Sequence, residues 1–260
     1  MSAVVTSETF ASTFDTCSGL DAAALTRDGS RSAGTQEGWI EELVSGFSEW
    51  VFAFEAAAIF PGPSLYFHER AIARRRQHET VRSLLGDTCF LEYSYAVLPA
   101  WGMHRLGSVR AKVGDFAQIT DALREKATAL EALWPLQITE LDADDAQHAA
   151  AIAWDVIAHI RVSTSQTQIV AGSKFLHHAL PDLIPPIDGR YTSVFFNGYR
   201  PVAMNRATFL DWFPKLAAIG ARCSKPIRDA IARGGYMATG EAKVIDNAII
   251  GFIQSRGGDD

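Results

Sequence analysis

From Trp39 onward the apolar residues recur at helical spacing, and alternating strand patterns are nearly absent. The pattern predicts a first helical stretch over 40–60, ended by Pro61-Gly62-Pro63. Ser64 is placed to cap a second stretch over 65–85, and a third runs over 90–101 into Gly102 and the polar loop 103–114. Asp115 is a candidate N-cap for a helix over 116–134. Asp142 to Asp145 precede a helix with Ile152, Val156 and Ile160 on one face. Asn205 can cap a helix through Trp212 that is interrupted or kinked at Pro214, and Thr239 opens a last amphipathic helix. Residues 1–36, rich in Ser, Thr, Ala and Gly without a sustained period, read as a loose tail, which leaves 37–258 as a helical domain. The expected fold class is all-α.

Composition narrows the class further. With 48% hydrophobic and 21% charged residues over 260 positions, the chain can bury a substantial core. No apolar run reaches membrane-spanning length, and MSAVVTSETF lacks the basic start and apolar stretch of a secretory signal, so a cytoplasmic protein without a membrane partner is expected. Cys17, Cys89 and Cys223 are far apart and form no metal-ligand spacing. His177 and His178, with Asp182 nearby, invite a metal reading; adjacent histidines project to different sides of a helix, however, so no metal and no cofactor are expected. The net charge of -6 argues mildly against nucleic acid, but it is unevenly spread. Residues 1–162 carry 13 basic against 22 acidic side chains, whereas 163–260 carry 11 against 8. The basic part holds the segment with the most chemistry in it.

That segment runs from Gln168-Ile169-Val170-Ala171-Gly172-Ser173-Lys174 through Pro185-Pro186-Ile187-Asp188-Gly189-Arg190-Tyr191. A helix ending at Gly172, followed at once by another opened by Ser173, would make a tight hairpin at about 165–181 whose outward N–H groups suit a phosphate. The two prolines fix an extended approach to Asp188 and deliver its carboxylate at the mouth of the next helix.

Over these residues the chain resembles the helix-hairpin-helix DNA glycosylase superfamily, whose members carry a Leu-Pro-Gly-Val-Gly-x-Lys hairpin followed by Pro-Val/Ile-Asp. The resemblance covers about 168–191. It implies a glycosylase-like fold of two interlocked helical subdomains, with DNA as partner and Asp188 as the catalytic carboxylate. Lys174 falls on the lysine that is the nucleophile in bifunctional members, and Ala171, Gly172, Ser173 and Arg190 fall on the DNA-gripping part. The motif departs from the family in Val170-Ala171, where Gly-Val is usual, and in a spacer from Lys174 to Asp188 that is shorter by roughly one helical turn.

The implied chemistry is specific. A target nucleotide is flipped out of the duplex, and an ionised Asp188 stabilises the positive charge that develops on the sugar as the base leaves. Lys174 attacking the sugar carbon would add lyase activity. Trp101, His104 and Tyr191 are candidates for the pocket wall that stacks the base. The divergence of the motif points to a specialised substrate, such as a hypermodified base in invading phage DNA. Blander readings stand beside these: Asp188 as a helix cap, Lys174 as a phosphate contact, and the whole as a non-catalytic hairpin module gripping nucleic acid or a helical protein-interaction domain.

Overall fold

The computed structural model describes residues 36–103, 113–165 and 167–257. The expected tail, apart from Gln36, and His104 lie outside them. The described residues form thirteen helices: α1 (Gln36–Ser45), α2 (Phe47–Ala57), α3 (Pro63–Arg75), α4 (Val81–Leu85), α5 (Thr88–Ala100), α6 (Phe116–Glu125), α7 (Ala127–Leu133), α8 (Ala143–Ile160), α9 (Ile169–Ala179), α10 (Tyr191–Asn197), α11 (Arg206–Arg222), α12 (Ser224–Arg233) and α13 (Glu241–Arg256). No strand occurs among them; the one β-bridge pairs Val113 with Ser163. The all-α class is therefore what the sequence pattern predicts. No described helix is long and apolar enough to cross a membrane.

Polar side chains set many of the helix starts. Asp87, Asp115, Asp142 and Asn205 each accept the backbone N–H three residues on, at 3.2, 3.0, 2.8 and 3.3 Å. Each such cap stabilises its helix by about 1 kcal/mol. Thr80 does the same for α4, which splits the expected stretch over 65–85 in two. The expected stretches over 40–60 and 116–134 are likewise split, at Gly46 and Lys126, and α13 starts at Glu241 with Gly240, not Thr239, at its N-cap. Two further boundaries differ at prolines. Pro63 occupies the first turn of α3, where a missing N–H costs nothing, and Ser64 is inside the helix with its hydroxyl donating to Ala100 O. Helix α11 continues across Pro214 to Arg222, its buried face from Phe209 to Gly220 outweighing the one hydrogen bond lost.

Two helices lie at the centre. Every residue of α9 except Val170 is buried, and so is every residue of α13 from Glu241 to Ile253. Helix α9 packs against α3, α5 and α8, while α13 packs against α2, α10, α11 and α12. Such helices, enclosed on all sides, need small residues where a neighbour crosses. At Gly172 a Cβ would stand 2.5 Å from Ile157 Cγ2 on α8, and at Gly251 one would stand 2.0 Å from the backbone oxygen of Trp50 on α2.

This overturns one sequence expectation. Gly172 does not end a helix; its N–H donates to Gln168 O at 2.8 Å, and α9 runs straight through it. The chain turns between helices earlier, directly after α8, where Arg161 takes a left-handed conformation with φ 42°. Ala171, Gly172 and Ser173 are buried in the helix body and are not positioned to touch a DNA backbone. The glycine serves packing rather than turning.

Gly251→Ala should reveal how tight the α13–α2 contact is. The Trp50 carbonyl is backbone and has no rotamer to escape into, so a loss of about 3 kcal/mol is expected despite alanine's better helix propensity. Gly257→Ala, whose Cβ would meet nothing nearer than 3.6 Å, should be close to neutral. Urea unfolding of the two variants checks this, and equal stabilities would contradict it.

Candidate active site

Asp188 is placed by its own sequence context. Ile184 to Ile187 pass over α9 and turn tightly at Pro186, where Ile187 N donates to Pro185 O at 2.9 Å and to the buried Ser173 hydroxyl at 3.1 Å, so the approach expected to be extended is bent just before Asp188. Ser173 is thus a clip that holds the approach segment, not a phosphate ligand. Asp188 N donates to Thr192 Oγ1 at 3.0 Å, and Asp188 Oδ1 accepts the N–H groups of Arg190 and Tyr191 at 2.7 and 3.2 Å. The carboxylate therefore caps the start of α10. Its other oxygen, Oδ2, accepts from Lys174 Nζ at 2.8 Å. The cap read from the sequence and an ion pair with Lys174 coexist on two oxygens of one side chain.

Lys174 is 5% exposed, while the Asp188 side chain keeps 26% of its surface open. Burial alone would push the Asp188 carboxyl up. The charge and hydrogen bond of Lys174, with the N–H groups of Arg190 and Tyr191, outweigh it and hold the group below the ordinary carboxylate value. The site thus keeps a carboxylate ionised at the edge of an apolar interior.

That edge is a narrow cleft lined by Phe60, Trp101, Lys174, Asp188, Tyr191 and Lys243, with Pro186, Asp246 and Ile250 completing it. Its cavity volume is about 20 Å3, room for a water molecule. Trp101 forms one wall: its ring centroid is 6.4 Å from that of Phe60 and 5.9 Å from Nζ of both Lys174 and Lys243. Of the expected pocket residues, Trp101 and Tyr191 line the cleft together with Asp188 and Lys174, and His104 lies outside the described residues. Arg190 is exposed beside it, with its guanidinium over the Tyr191 ring at 5.4 Å.

The sequence reading missed a second ion pair in the same cleft. On α13, Lys243 Nζ donates to Asp246 Oδ2 at 2.7 Å and to Asn247 Oδ1 at 2.6 Å, with both charged side chains almost fully enclosed. Burial lowers the Lys243 amine and raises the Asp246 carboxyl, each partly opposed by the other's charge. A signal was present: Lys243, Asp246 and Asn247 share one face of a helix whose other faces carry Val244, Ile245, Ala248 and Ile249.

Behind Lys174 stands a cluster of buried histidines. His178 Nδ1–H can only donate to Lys174 O, at 2.9 Å, so its Nε2 accepts from His68 Nδ1 at 3.1 Å, and His68 Nε2 accepts from the Thr239 hydroxyl at 2.7 Å. The chain of donors runs one way, from Thr239 to the α9 backbone, and requires neutral rings. His177 donates to Ile184 O at 2.7 Å and leaves Nε2 buried without a partner among the described residues. No group of three His, Cys, Asp or Glu side chains among the described residues is arranged to hold a metal ion. Three successive arginines at the end of α3 are engaged within the protein: Arg74 pairs with Asp87, Arg75 Nε donates to Ala179 O and its guanidinium lies over Trp134, and Arg76 donates to Thr239 O.

No family model, curated protein or solved structure matches the chain.

The histidine cluster predicts acid sensitivity. Burial pushes His68 and His177 well below the ordinary histidine value and His178 to about 4, so the unfolded chain binds protons that the folded chain refuses. Their contribution is complete above about pH 6.5 and is lost as pH falls toward the folded values. Each ring should approach a slope of about 1.4 kcal/mol per pH unit, giving a combined loss on the order of 5 kcal/mol between pH 7 and pH 5. Urea titrations across that range measure it; a flat stability would contradict the neutral hydrogen-bond chain.

Proposed function

We propose that this protein is a DNA N-glycosylase that excises a modified base, with a helix-hairpin-helix glycosylase-like arrangement of two interlocked helical subdomains. The observation that carries the reading is the ionised Asp188 carboxylate at the edge of an aromatic-walled cleft, fixed through its two oxygens to the start of α10 and to Lys174. Cleaving an N-glycosidic bond leaves positive charge on the sugar, and a rigid carboxylate facing that sugar stabilises it without having to reorganise. To admit a flipped base, Trp101 and Tyr191, which border the same cleft, would have to part and then stack against it.

The grip on DNA is assigned to the exposed surface around the cleft, with Arg190 as its first candidate, since Ala171 to Ser173 are buried. Gripping nucleic acid does not in itself require two enclosed ion pairs beside a cleft, whose charges are costly to desolvate, and this favours catalysis over the non-catalytic alternative. The departures in the motif favour a specialised base, for which the hypermodified bases of phage DNA are the first panel to test.

The test is incubation with duplexes carrying a panel of modified bases, followed by alkali to cut abasic sites. Asp188→Asn keeps an oxygen for the N–H groups of Arg190 and Tyr191 but removes the charge. Excision should fall by about 10² to 10⁴ while salt-sensitive DNA binding persists. Undiminished excision by this variant, or no salt-sensitive DNA affinity in the parent protein, would sink the reading.

A further inference from the structure

The two lysines of the cleft are tied to carboxylates of different kinds. Asp188 is partly open and accepts three hydrogen bonds, two of them from backbone N–H groups, so its charge survives without help from the amine alone. Asp246 is enclosed in the body of α13, and Lys243 is its hydrogen-bond partner. Enclosure without backbone donors raises the affinity of Asp246 for a proton and reduces that of Lys243, whereas the Asp188 carboxyl is held below its ordinary value. Lys243 also has the geometry of a nucleophile. Two of its three donor positions face Asp246 and Asn247, and the nitrogen lies 5.2 Å from the Phe54 ring, 5.8 Å from Phe60 and 5.9 Å from Trp101. The nitrogen thus sits among the aromatic side chains at the enclosed end of the cleft that Lys243 itself lines.

From this geometry, and resting on the glycosylase reading, we infer that Lys243, not Lys174, is the amine that bonds covalently to the sugar, with Asp246 as its proton acceptor and Lys174 as the counterion that holds Asp188 in place. The step balances without an outside reagent. Lys243 Nζ gives one proton to Asp246, and the freed lone pair forms the Nζ–C1′ bond as the C1′–base bond breaks. The electron pair of that bond leaves on the base, which takes the proton from Asp246. Ring opening then breaks C1′–O4′, O4′ takes a second proton from Nζ, and a protonated imine remains on Lys243. At a preformed abasic site the same amine attacks the C1′ aldehyde and expels water.

An abasic site makes a probe that does not require knowing the base. The full chain is incubated with a duplex carrying one abasic site and treated with borohydride, which reduces the imine to a stable secondary amine. Trypsin digestion and mass spectrometry then locate the adduct. Modification of Lys243 blocks cleavage there, so the expected product is a single peptide spanning Gly234–Arg256 that carries the nucleotide remnant. In Asp246→Asn the trapped yield should fall at least tenfold, with Lys243 still the residue modified in what remains. An adduct on Lys174 or on the N-terminal amine overturns the assignment and leaves the glycosylase reading intact. So does base release by the parent protein with no adduct at all. Absence of adduct, base release and salt-sensitive DNA binding together overturns both. Because the decisive map is made on the parent protein, misfolding of a variant cannot decide the outcome.

Discussion

Charges enclosed in a helical interior survive only in pairs, and that constraint shapes everything near the cleft. Lys174 and Asp188 come from different segments, Lys243 and Asp246 from successive turns of one helix, and Trp101 stands near both amines. Removing one member of such a pair leaves its partner charged in a poorly solvating place, typically at a cost of about 3–5 kcal/mol. The surrounding helices therefore cannot shift independently. Helix α9 fixes Lys174, α13 fixes the second pair, and the Pro185-Pro186 run fixes Asp188 relative to both.

The histidines extend this constraint to the backbone. A one-way series of donors ties Thr239, just before α13, through His68 on α3 and His178 to the carbonyl of Lys174 itself. Helices α3, α9 and the approach to α13 are thus locked by hydrogen bonds whose directions are fixed by the tautomers. Ser173 adds a clip from α9 to Ile187, one residue before the carboxylate. Polar atoms at the centre of this protein are spent on alignment, while packing at Gly172 and Gly251 sets the helix separations.

Much of this was legible in the sequence, and the failures have physical causes. Helical periodicity and polar caps gave the class and most boundaries, because Asp115, Asp142 and Asn205 meet a backbone need that is local. Asp188 was legible because two prolines leave little freedom in how it is presented. Gly172 misled because glycine marks both turns and close helix crossings, and only the position of Ile157 distinguishes them. Lys243 and Asp246 were passed over because charged residues three apart on an amphipathic helix normally face water. Whether that face is enclosed depends on Phe54, Phe60 and Trp101, which lie at least 140 positions away in the chain.

The double attachment of Asp188 has a mechanical consequence. Its Oδ1 secures the first turn of α10 and its Oδ2 secures an amine in the cleft, so any guest that draws the carboxylate toward itself also loosens the end of a seven-residue helix. Occupancy of the cleft and the anchoring of α10 are geared together through one rigid planar group. The loop beyond Asn197, which carries the exposed ring of Tyr199, sits at the far end of that lever.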